Sequence, residues 1–341
     1  MHSTQKLVQS QKQDEEFLRW LSPSFELVEA QLRAVRNRRG KETLKWASNM
    51  NEFRDWHSND SNYDLHSNEG VHNAKSHVLW IRGAAGVGKS TMAGYLIDFV
   101  KFLYPDSLVL YFFCKAGDIG LTSARDIIRT LAYQCLENSR ARSALEDLKK
   151  SGFQIEEKVG VRHLFVKLLQ APLSHMDKDI YIILDGLDEA DNTSLDDVET
   201  RPQRRQLNIL IECITSLFAR TLFISRPSGD IQILAPDMTT KTIASTDNIN
   251  DIQTYVQRTI DNSQILQKQF QREGINAADY ILQKANGVFL WVVLALEQLS
   301  DATTKSDFRK CLDQFSRASG DTVMDELYSS ILSKVKSKDW K

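Results

Sequence analysis

Residues 83–90 contain the feature that most restricts the fold of this chain, a glycine-rich segment that ends in lysine and serine. The segment reads Gly83-Ala84-Ala85-Gly86-Val87-Gly88-Lys89-Ser90 and matches G-x-x-x-x-G-K-[ST] at every specified position. The apolar run 78–81 precedes it, and residues with helical spacing follow it as far as residue 102. A strand, a glycine-rich turn and a helix in that order form the setting in which such a loop holds phosphate groups.

The chemistry of each residue predicts its role in this loop. Glycines allow backbone N–H groups to turn towards a β-phosphate, and a helix that starts at Lys89 would add the positive end of its dipole. Lys89 would reach the β- and γ-phosphates, Ser90 would bind magnesium, and Thr91 would lie near the α-phosphate. The alternative is a plain glycine-rich turn that a lysine follows by chance, which would leave the strand and helix context unexplained. Residues 83–91 are therefore the predicted binding segment for ATP or ADP.

A second apolar run, Ile180–Leu184, ends in carboxylates. Asp185 follows it directly, and Asp188 and Glu189 lie just beyond. Ligands sit at the carboxyl ends of parallel strands, so Asp185 is predicted to hold magnesium directly or through water. Either Asp188 or Glu189 could orient or deprotonate an attacking water, with a slight preference for Glu189. Carboxylates also begin loops and cap helices, which is the simpler explanation for them.

A third apolar run, residues 221–225, leads into Arg226 and a proline. An arginine at this strand end can contact a γ-phosphate and report whether it is present. The alternative is a solvated arginine in a turn before the proline. We take the sensor role as the working hypothesis and count Arg226 with Asp188 and Glu189 as candidate catalytic residues.

The order of segments predicts an α/β fold with a helical continuation. Short apolar strands alternate with helices from about residue 71, as in a parallel sheet covered on both faces. Strand signals then stop, and helical spacing continues after residue 245. The predicted domains are a helical lead-in and linker at 1–70, a P-loop nucleotide domain at 71–245 and a small all-α lid at 246–341. The polar stretch 191–206, which includes a proline, is predicted to be a loop.

Composition excludes several classes of protein. A net charge of −2 gives no overall basic field, so neither nucleic acid nor an anionic membrane is a predicted partner. Four scattered cysteines indicate neither a metal site nor a disulfide scaffold. The amino terminus lacks an apolar core, and the longest apolar run, Val288–Leu296, is too short to span a bilayer. We therefore expect a soluble, cytoplasmic protein without a membrane span.

Taken together, these segments resemble the NACHT family of STAND P-loop NTPases, and most closely the fungal type that is also called nephrocystin-like. The resemblance rests on LWIRGAAGVGKST, IYIILDGLDEA and TLFISRPSGD, with support from VLYFFCKAGD, IIRTLAYQCL and ILQKANGVFLWVVLALEQL. It extends from FLRWLSPSFE near the amino terminus to MDELYSSIL. It implies an AAA-like nucleotide fold with a helical lid, ADP in a resting state, and exchange for ATP that drives self-association. For fungal members it implies a role in non-self recognition or programmed cell death.

Two features depart from the family pattern. Many relatives have a Gly-x-Pro turn in the lid that contacts the base, whereas this chain has Ala285-Asn286-Gly287-Val288-Phe289 without proline. The chain also ends soon after MDELYSSIL, where relatives usually continue into a winged helix and repeat domains. The resemblance therefore implies a lid that is truncated before a winged helix. It does not identify the partners that would carry effector or repeat domains.

The sequence leaves more than one function open. The first is an ATP-dependent molecular switch with slow hydrolysis, which would self-associate when ATP is bound. The second is a non-catalytic nucleotide-binding scaffold, or a fragment that acts with partners. A nucleic-acid-handling ATPase is a third class, but it requires a basic groove that the charge balance does not suggest.

Overall fold

The computed structural model describes residues 14–58, 77–174, 176, 178–190, 201–302 and 304–317. By its internal contacts the chain divides into two units, which we call the sheet unit and the helical unit. The sheet unit comprises Met1–Arg39, Ala47–Arg82 and Lys89–Thr242, and the helical unit comprises Gly40–Trp46, Gly83–Gly88 and Ile243–Lys341. The segment MDELYSSIL and most of the linker between residues 57 and 77 lie outside the described residues.

A parallel five-stranded sheet forms the centre of the sheet unit. Its strands are β1 (Val78–Arg82), β2 (Leu108–Phe113), β3 (Ile180–Asp185), β4 (Arg220–Ser225) and β5 (Thr239–Thr242), in the spatial order β2-β3-β4-β1-β5. Every residue of β2 and β3 is buried, as expected of parallel strands covered on both faces. The predicted α/β class, a parallel sheet flanked by helices with a glycine-rich loop after its first strand, is confirmed.

Helices cover this sheet and lead into it. Those before residue 243 are α1 (residues 14–21), α2 (Phe25–Arg38), α3 (Lys45–Asn49), α4 (Asn51–His57), α5 (Lys89–Leu103), α6 (Ala124–Gln134), α7 (Ser139–Lys150), α8 (Val161–Phe165), α9 (Ala171–Leu173), α10 (Leu187–Ala190), α11 (Arg201–Thr215) and α12 (Gly229–Leu234). A 3₁₀ turn, Cys135–Glu137, extends α6, and a π-helical turn, Val166–Gln170, joins α8 to α9. No helix in the described ranges is both long and apolar enough to cross a membrane.

The lead-in packs on the sheet through close contacts. Helix α2 approaches α5 so closely that a Cβ built on Gly94 would lie 2.6 Å from Val35 Cγ2. Trp56 on α4 is 1% exposed, and its Nε1 donates to the carbonyl of Thr221 at 3.0 Å and to that of His77 at 3.1 Å. The indole therefore supplies a donor to carbonyl groups at the amino ends of β1 and β4 while it fills the adjacent core.

Two elements differ from the sequence prediction. Strand β5 was missed because its sequence, TTKT, contains no apolar run; it pairs with β1 as an edge strand with half-buried and exposed residues in alternation. Helix α11 begins at Arg201, inside the predicted loop 191–206, with Pro202 in its first turn. A proline is tolerated there because the first helical N–H groups have no partner within the helix.

Helices after residue 243 build the helical unit. They are α13 (Ile249–Asp261), α14 (Gln264–Glu273), α15 (Ala277–Ala285), α16 (Phe289–Ser300) and α17 (Lys305–Arg317). Their apolar faces share one core, in which the rings of Phe270 and Phe308 meet edge to face at 5.2 Å. Gly40–Trp46 joins this unit through the buried carboxylate of Asp251, which accepts from Leu44 N at 2.8 Å and from Trp46 Nε1 at 2.9 Å.

Candidate nucleotide-binding site

The glycine-rich segment forms a tight turn between β1 and α5. Gly86 and Gly88 have φ angles of +76° and +96°, a region that residues with a side chain rarely adopt. Helix α5 begins at Lys89, as predicted, and its first turn contains no acidic residue. The first N–H groups of this helix therefore lie at the positive end of its dipole without a carboxylate of their own, which suits the binding of an anion.

Within the helical unit, residues 86 and 87 of the loop are held by the turn that precedes α16. Gly86 O accepts from Leu290 N at 2.9 Å, so a backbone N–H in the first turn of α16 is satisfied by the loop. A Cβ on Gly86 would lie 3.0 Å from atoms of both Val288 and Leu290. This close approach, together with the positive φ, explains why the position requires glycine.

The turn at residues 286–287 joins α15 to α16. Asn286 and Gly287 both adopt left-handed conformations, with φ angles of 44° and 78°. Gly287 passes so close to Ser245 that a Cβ would lie 2.5 Å from its Cα. Gly287 O accepts from Asn248 Nδ2 at 2.7 Å, and a longer contact of 3.4 Å joins the same nitrogen to Val87 O. The side-chain amide of Asn248 thus connects this turn to the glycine-rich loop.

Asp185 is the buried carboxylate at the carboxyl end of β3. Hydrogen bonds of 2.8 Å fix the backbone there, from Cys114 N to Asp185 O and from Gly186 N to Ile224 O. The residue is 3% exposed, and burial raises the pKa of its carboxyl group from 3.8 to about 7. A hydrogen bond from Ser90 and the charge of Lys89 oppose this rise. The side chains of Lys89, Ser90 and Asp185, which are predicted to bind a phosphate and a metal ion, therefore lie close together within the sheet unit.

Lys89 lies close to the carboxylates of Asp185 and Asp188. Burial lowers its pKa, and the charges of Asp188 and Asp185 act in the opposite direction. The ammonium group of Lys89 and the carboxylates that follow β3 are thus close enough to interact, although about 100 residues separate them along the chain. The predicted grouping of Lys89, Ser90 and Asp185 is present in the structure.

Asp188 and Arg226 form a pair at the ends of neighbouring strands. Asp188 Oδ1 accepts from Arg226 N at 3.0 Å, and Asp188 Oδ2 lies 3.4 Å from Arg226 Nε. The arginine side chain is 55% exposed, whereas the aspartate side chain is 15% exposed. Both oxygens of Asp188 are therefore engaged in holding the start of the chain that leaves β4.

Glu189 is held more loosely. Its Oε2 accepts from the backbone N–H of Ala116, in the loop after β2, at 3.2 Å. For its second oxygen, the part of the chain that the structure describes supplies no hydrogen bond. The short helix α10, which carries both acids, follows Gly186, where φ is +74° and a Cβ would lie 2.7 Å from the Cys114 carbonyl oxygen. A glycine is therefore required to direct Asp188 and Glu189 away from the strand.

The oxygen ligands available here suit magnesium. Mg²⁺ is usually held by one or two protein oxygens together with substrate phosphates and water. Asp185 and Ser90 provide a carboxylate and a hydroxyl already in hydrogen-bond contact, which fits that ligand set. Within the described ranges, no group of three or more His, Cys, Asp or Glu residues forms a protein-only metal site.

Sequence reasoning identified the acidic and glycine-rich residues but missed the groups that hold them. Ala116 contributes through its backbone N–H, which no residue-type signal reveals. Asn248 could have been found only as a helix N-cap candidate before α13, because asparagine is common at that position. Its actual contacts are with Val87 and Gly287, which are distant in sequence.

A recess elsewhere in the sheet unit is a poorer candidate. It lies at the amino ends of the strands and is lined by His77, Lys178, Asp179, Ile180, Ser216, Leu217, Phe218, Ala219 and Arg220. Ligands of open parallel sheets sit at the carboxyl ends of the strands, where Asp185 lies. The acidic end of β3 is therefore the better candidate.

The region of this chain that resembles a known family includes the glycine-rich loop. A family model described as Nephrocystin 3, N-terminal, matches residues 42–226, which is more than half of the chain. The vegetative incompatibility protein HET-E-1 of Podospora anserina is 27% identical over 307 residues, covering 86% of this chain and 20% of that protein. The chain therefore spans about a fifth of the length of this curated relative.

Two solved structures show a more distant likeness. The ORC2 protein of Aeropyrum pernix, in ADPNP and ADP complexes, has a TM-score of 0.40 and 12% identity, covering 72% of this chain and 63% of that one. Domain III of the replication initiation protein DnaA of Thermotoga maritima has a TM-score of 0.34 and 12% identity, covering 72% and 86%.

Proposed function

The chain belongs to the nephrocystin 3, N-terminal family of NACHT-type P-loop NTPases, and we propose that it is a molecular switch that binds ATP and hydrolyses it slowly. The observation that carries this proposal is the grouping of Lys89, Ser90 and Asp185. An ammonium, a hydroxyl and a buried carboxylate at the start of one helix and the end of one strand are the groups needed to bind a magnesium-bound nucleotide.

Each residue has a role that its surroundings support. Lys89 neutralises charge on the β- and γ-phosphates, while Ser90 and Asp185 hold magnesium. When bound, magnesium would offset the negative charge of the phosphate oxygens. The backbone N–H groups of residues 83–91 complete the binding of the anion. Nucleotide selection between ATP and ADP then depends on groups that contact the terminal phosphate.

Glu189 is the better candidate for positioning the attacking water. Both oxygens of Asp188 already interact with Arg226, whereas Glu189 has one oxygen bound to Ala116 N. A base needs an available oxygen within hydrogen-bond distance of water. Arg226 would act as the γ-phosphate sensor by exchanging Asp188 for the phosphate, which its exposed side chain allows.

Nucleotide analysis of the purified chain tests the binding step. We expect ADP to copurify with the wild type and to be lost in Lys89→Ala. Lys158→Ala removes an exposed lysine elsewhere in the sheet unit and serves as the matched control. If the wild type carries no nucleotide and does not bind added ATP with magnesium, the proposal is refuted.

A second candidate function is a non-catalytic nucleotide-binding scaffold. It is favoured by the hydrogen bonds that Asp188 and Glu189 accept from backbone N–H groups. These bonds would stabilise the fold even if no nucleotide were hydrolysed. Glu189→Gln separates the two functions, with Glu156→Gln as an exposed control. The switch predicts that Glu189→Gln slows ATP turnover and accumulates an ATP-bound oligomer, measured by light scattering after size exclusion. The scaffold predicts no change in association.

The cellular role is proposed from the relative's name. HET-E-1 is a vegetative incompatibility protein, so we propose that this chain acts in a comparable self/non-self response, with self-association in the ATP-bound state as the output. An ATP-bound Glu189→Gln variant that stays monomeric would contradict the output that we propose.

A further inference from the structure

Ser225, the last residue of β4, carries a buried hydroxyl group that the proposed function does not yet use. The residue is fully buried within the sheet unit. The strand register sets it beside Arg82 on β1, so its side chain lies on the same face of the sheet as Trp80, two residues before Arg82. Trp80 Nε1 donates to Ser225 Oγ at 2.8 Å, and the same Oγ lies 2.8 Å from the carbonyl oxygen of Arg226.

The chemistry of the two neighbours fixes the direction of these hydrogen bonds. An indole N–H can only donate, so the hydroxyl oxygen of Ser225 accepts from Trp80. A carbonyl oxygen can only accept, so the one hydroxyl proton of Ser225 is donated to Arg226 O. The indole itself is 1% exposed, and the guanidinium carbon of Arg82 lies 5.4 Å from the centre of its ring. Trp80 and Ser225 therefore form a buried, directed chain of hydrogen bonds that ends on the backbone of Arg226.

The backbone of Arg226 is thus held from two sides. Its N–H donates to Asp188 Oδ1 at 3.0 Å, and its carbonyl oxygen accepts from Ser225 Oγ at 2.8 Å. Its side chain, by contrast, is 55% exposed and meets Asp188 Oδ2 at the longer distance of 3.4 Å. A movement of Asp188 would disturb the first backbone bond and the side-chain contact together. The bond from Ser225 does not depend on Asp188, so it can hold the residue while the guanidinium group changes partner.

We propose that Ser225 is a positioning residue for the detection of the γ-phosphate, and that Trp80 sets the direction of its hydroxyl group. This inference rests on the proposed function, in which Arg226 exchanges Asp188 for the phosphate. During that exchange Ser225 keeps the backbone of Arg226 in place, so the guanidinium group turns about a fixed point. A side chain whose origin is already fixed loses less conformational freedom when it binds its target. The preference for ATP over ADP then depends on a serine that does not touch the nucleotide.

Calorimetric titration of the nucleotide-free chain tests this proposal with two ligands, ADP and the non-hydrolysable ATP analogue adenylyl imidodiphosphate, each with magnesium. The ratio of the analogue affinity to the ADP affinity measures the preference for a third phosphate. Arg226→Ala should lower this ratio by about tenfold or more, and Ser225→Ala should lower it by about threefold to tenfold. The affinity for ADP should stay close to the wild-type value in both variants, since ADP has no γ-phosphate. In the double variant the ratio should equal that of Arg226→Ala alone, because Ser225 acts through the arginine.

Thr221→Val is the matched control, because it removes another fully buried hydroxyl group near the opposite end of β4. It should keep the wild-type ratio, as a loss of stability alone does not distinguish the two ligands. Ser225→Cys replaces the hydroxyl group by a thiol, which forms only weak hydrogen bonds, with little change in shape. It should lower the ratio as Ser225→Ala does, and it tests the same contact if the alanine variant does not fold.

Three results would overturn the proposal and leave Ser225 with a structural role alone. They are a wild-type ratio in the Ser225 variants, an equal loss of affinity for both ligands, and an additive effect in the double variant. A wild-type ratio in Arg226→Ala would remove the sensor role of the arginine and this inference with it. Failure of the wild type to bind either ligand would refute the proposed function itself, which is a distinguishable result.

Discussion

Replacement of Asp185 by asparagine should raise the free energy of unfolding of the nucleotide-free protein. This increase should become larger as the pH rises. Asparagine keeps an oxygen that can accept from Ser90 but has no proton to lose. Burial raises the pKa of Asp185 to about 7, so the folded protein holds this proton more tightly than the unfolded chain. Between the two pKa values the unfolded state binds fewer protons, and wild-type stability therefore falls as the pH rises.

The magnitude follows from the two pKa values. The rise from 3.8 to about 7 corresponds to about 4 kcal/mol of lost stability once the carboxylate is ionised in both states. The loss begins near pH 4 and is complete above pH 7. Relative to the wild type, Asp185→Asn should gain about 1.5 kcal/mol at pH 5 and about 4 kcal/mol at pH 8.

Urea unfolding in the presence of EDTA and without nucleotide measures this difference at each pH. Asp237→Asn, which replaces an exposed carboxylate, controls for the loss of one acidic group from the chain. Added magnesium and ATP should reverse the order of stability, because the variant lacks the charged ligand. If the difference between Asp185→Asn and the wild type is the same at pH 5 and pH 8, Asp185 does not titrate in this range and the reasoning is wrong.

Three other substitutions test contacts that support the site, each by urea unfolding. Gln134→Leu should cost roughly 2–4 kcal/mol, because the side-chain amide of Gln134 pairs with both Tyr111 N and Tyr111 O at 2.9 Å on the edge strand β2. Asp251→Ala should cost about the same, roughly 2–4 kcal/mol, since two N–H groups lose a buried carboxylate. Gly94→Ala should destabilise despite a helix-propensity gain of about 1 kcal/mol, because its Cβ would lie 2.6 Å from Val35 Cγ2, and adding Val35→Ala should relieve the clash. Retention of wild-type stability in any of the single variants would show that the contact concerned is not formed.

Local sequence patterns predicted the elements that carry the site. The apolar runs of β1 to β4 have the length and composition of buried parallel strands, and Lys89 begins α5 because the glycine-rich turn ends there. These signals succeed because each depends on a few neighbouring residues. Strand β5 shows the limit, since its polar residues become a strand only through pairing with β1.

Contacts between distant segments were beyond the reach of sequence patterns. Sequence patterns supported only a slight preference for Glu189 over Asp188, because the contacts of Arg226 with both oxygens of Asp188 join segments that are 38 residues apart. Likewise, the high pKa of Asp185 depends on burial, and burial depends on how helices and strands pack. Asn248 belongs to no recognisable sequence motif, and its contacts depend on residues that are distant in sequence.

Gly186 has a consequence for how this protein can diverge. Its left-handed backbone and the Cys114 carbonyl oxygen beside it leave no room for any other amino acid, whatever happens at the residues around it. Under the proposed function, loss of nucleotide chemistry would remove the constraint on Asp185, Asp188 and Glu189, yet folding would still require this glycine. Among diverging copies, we therefore expect the glycine to persist even where the three acids are replaced.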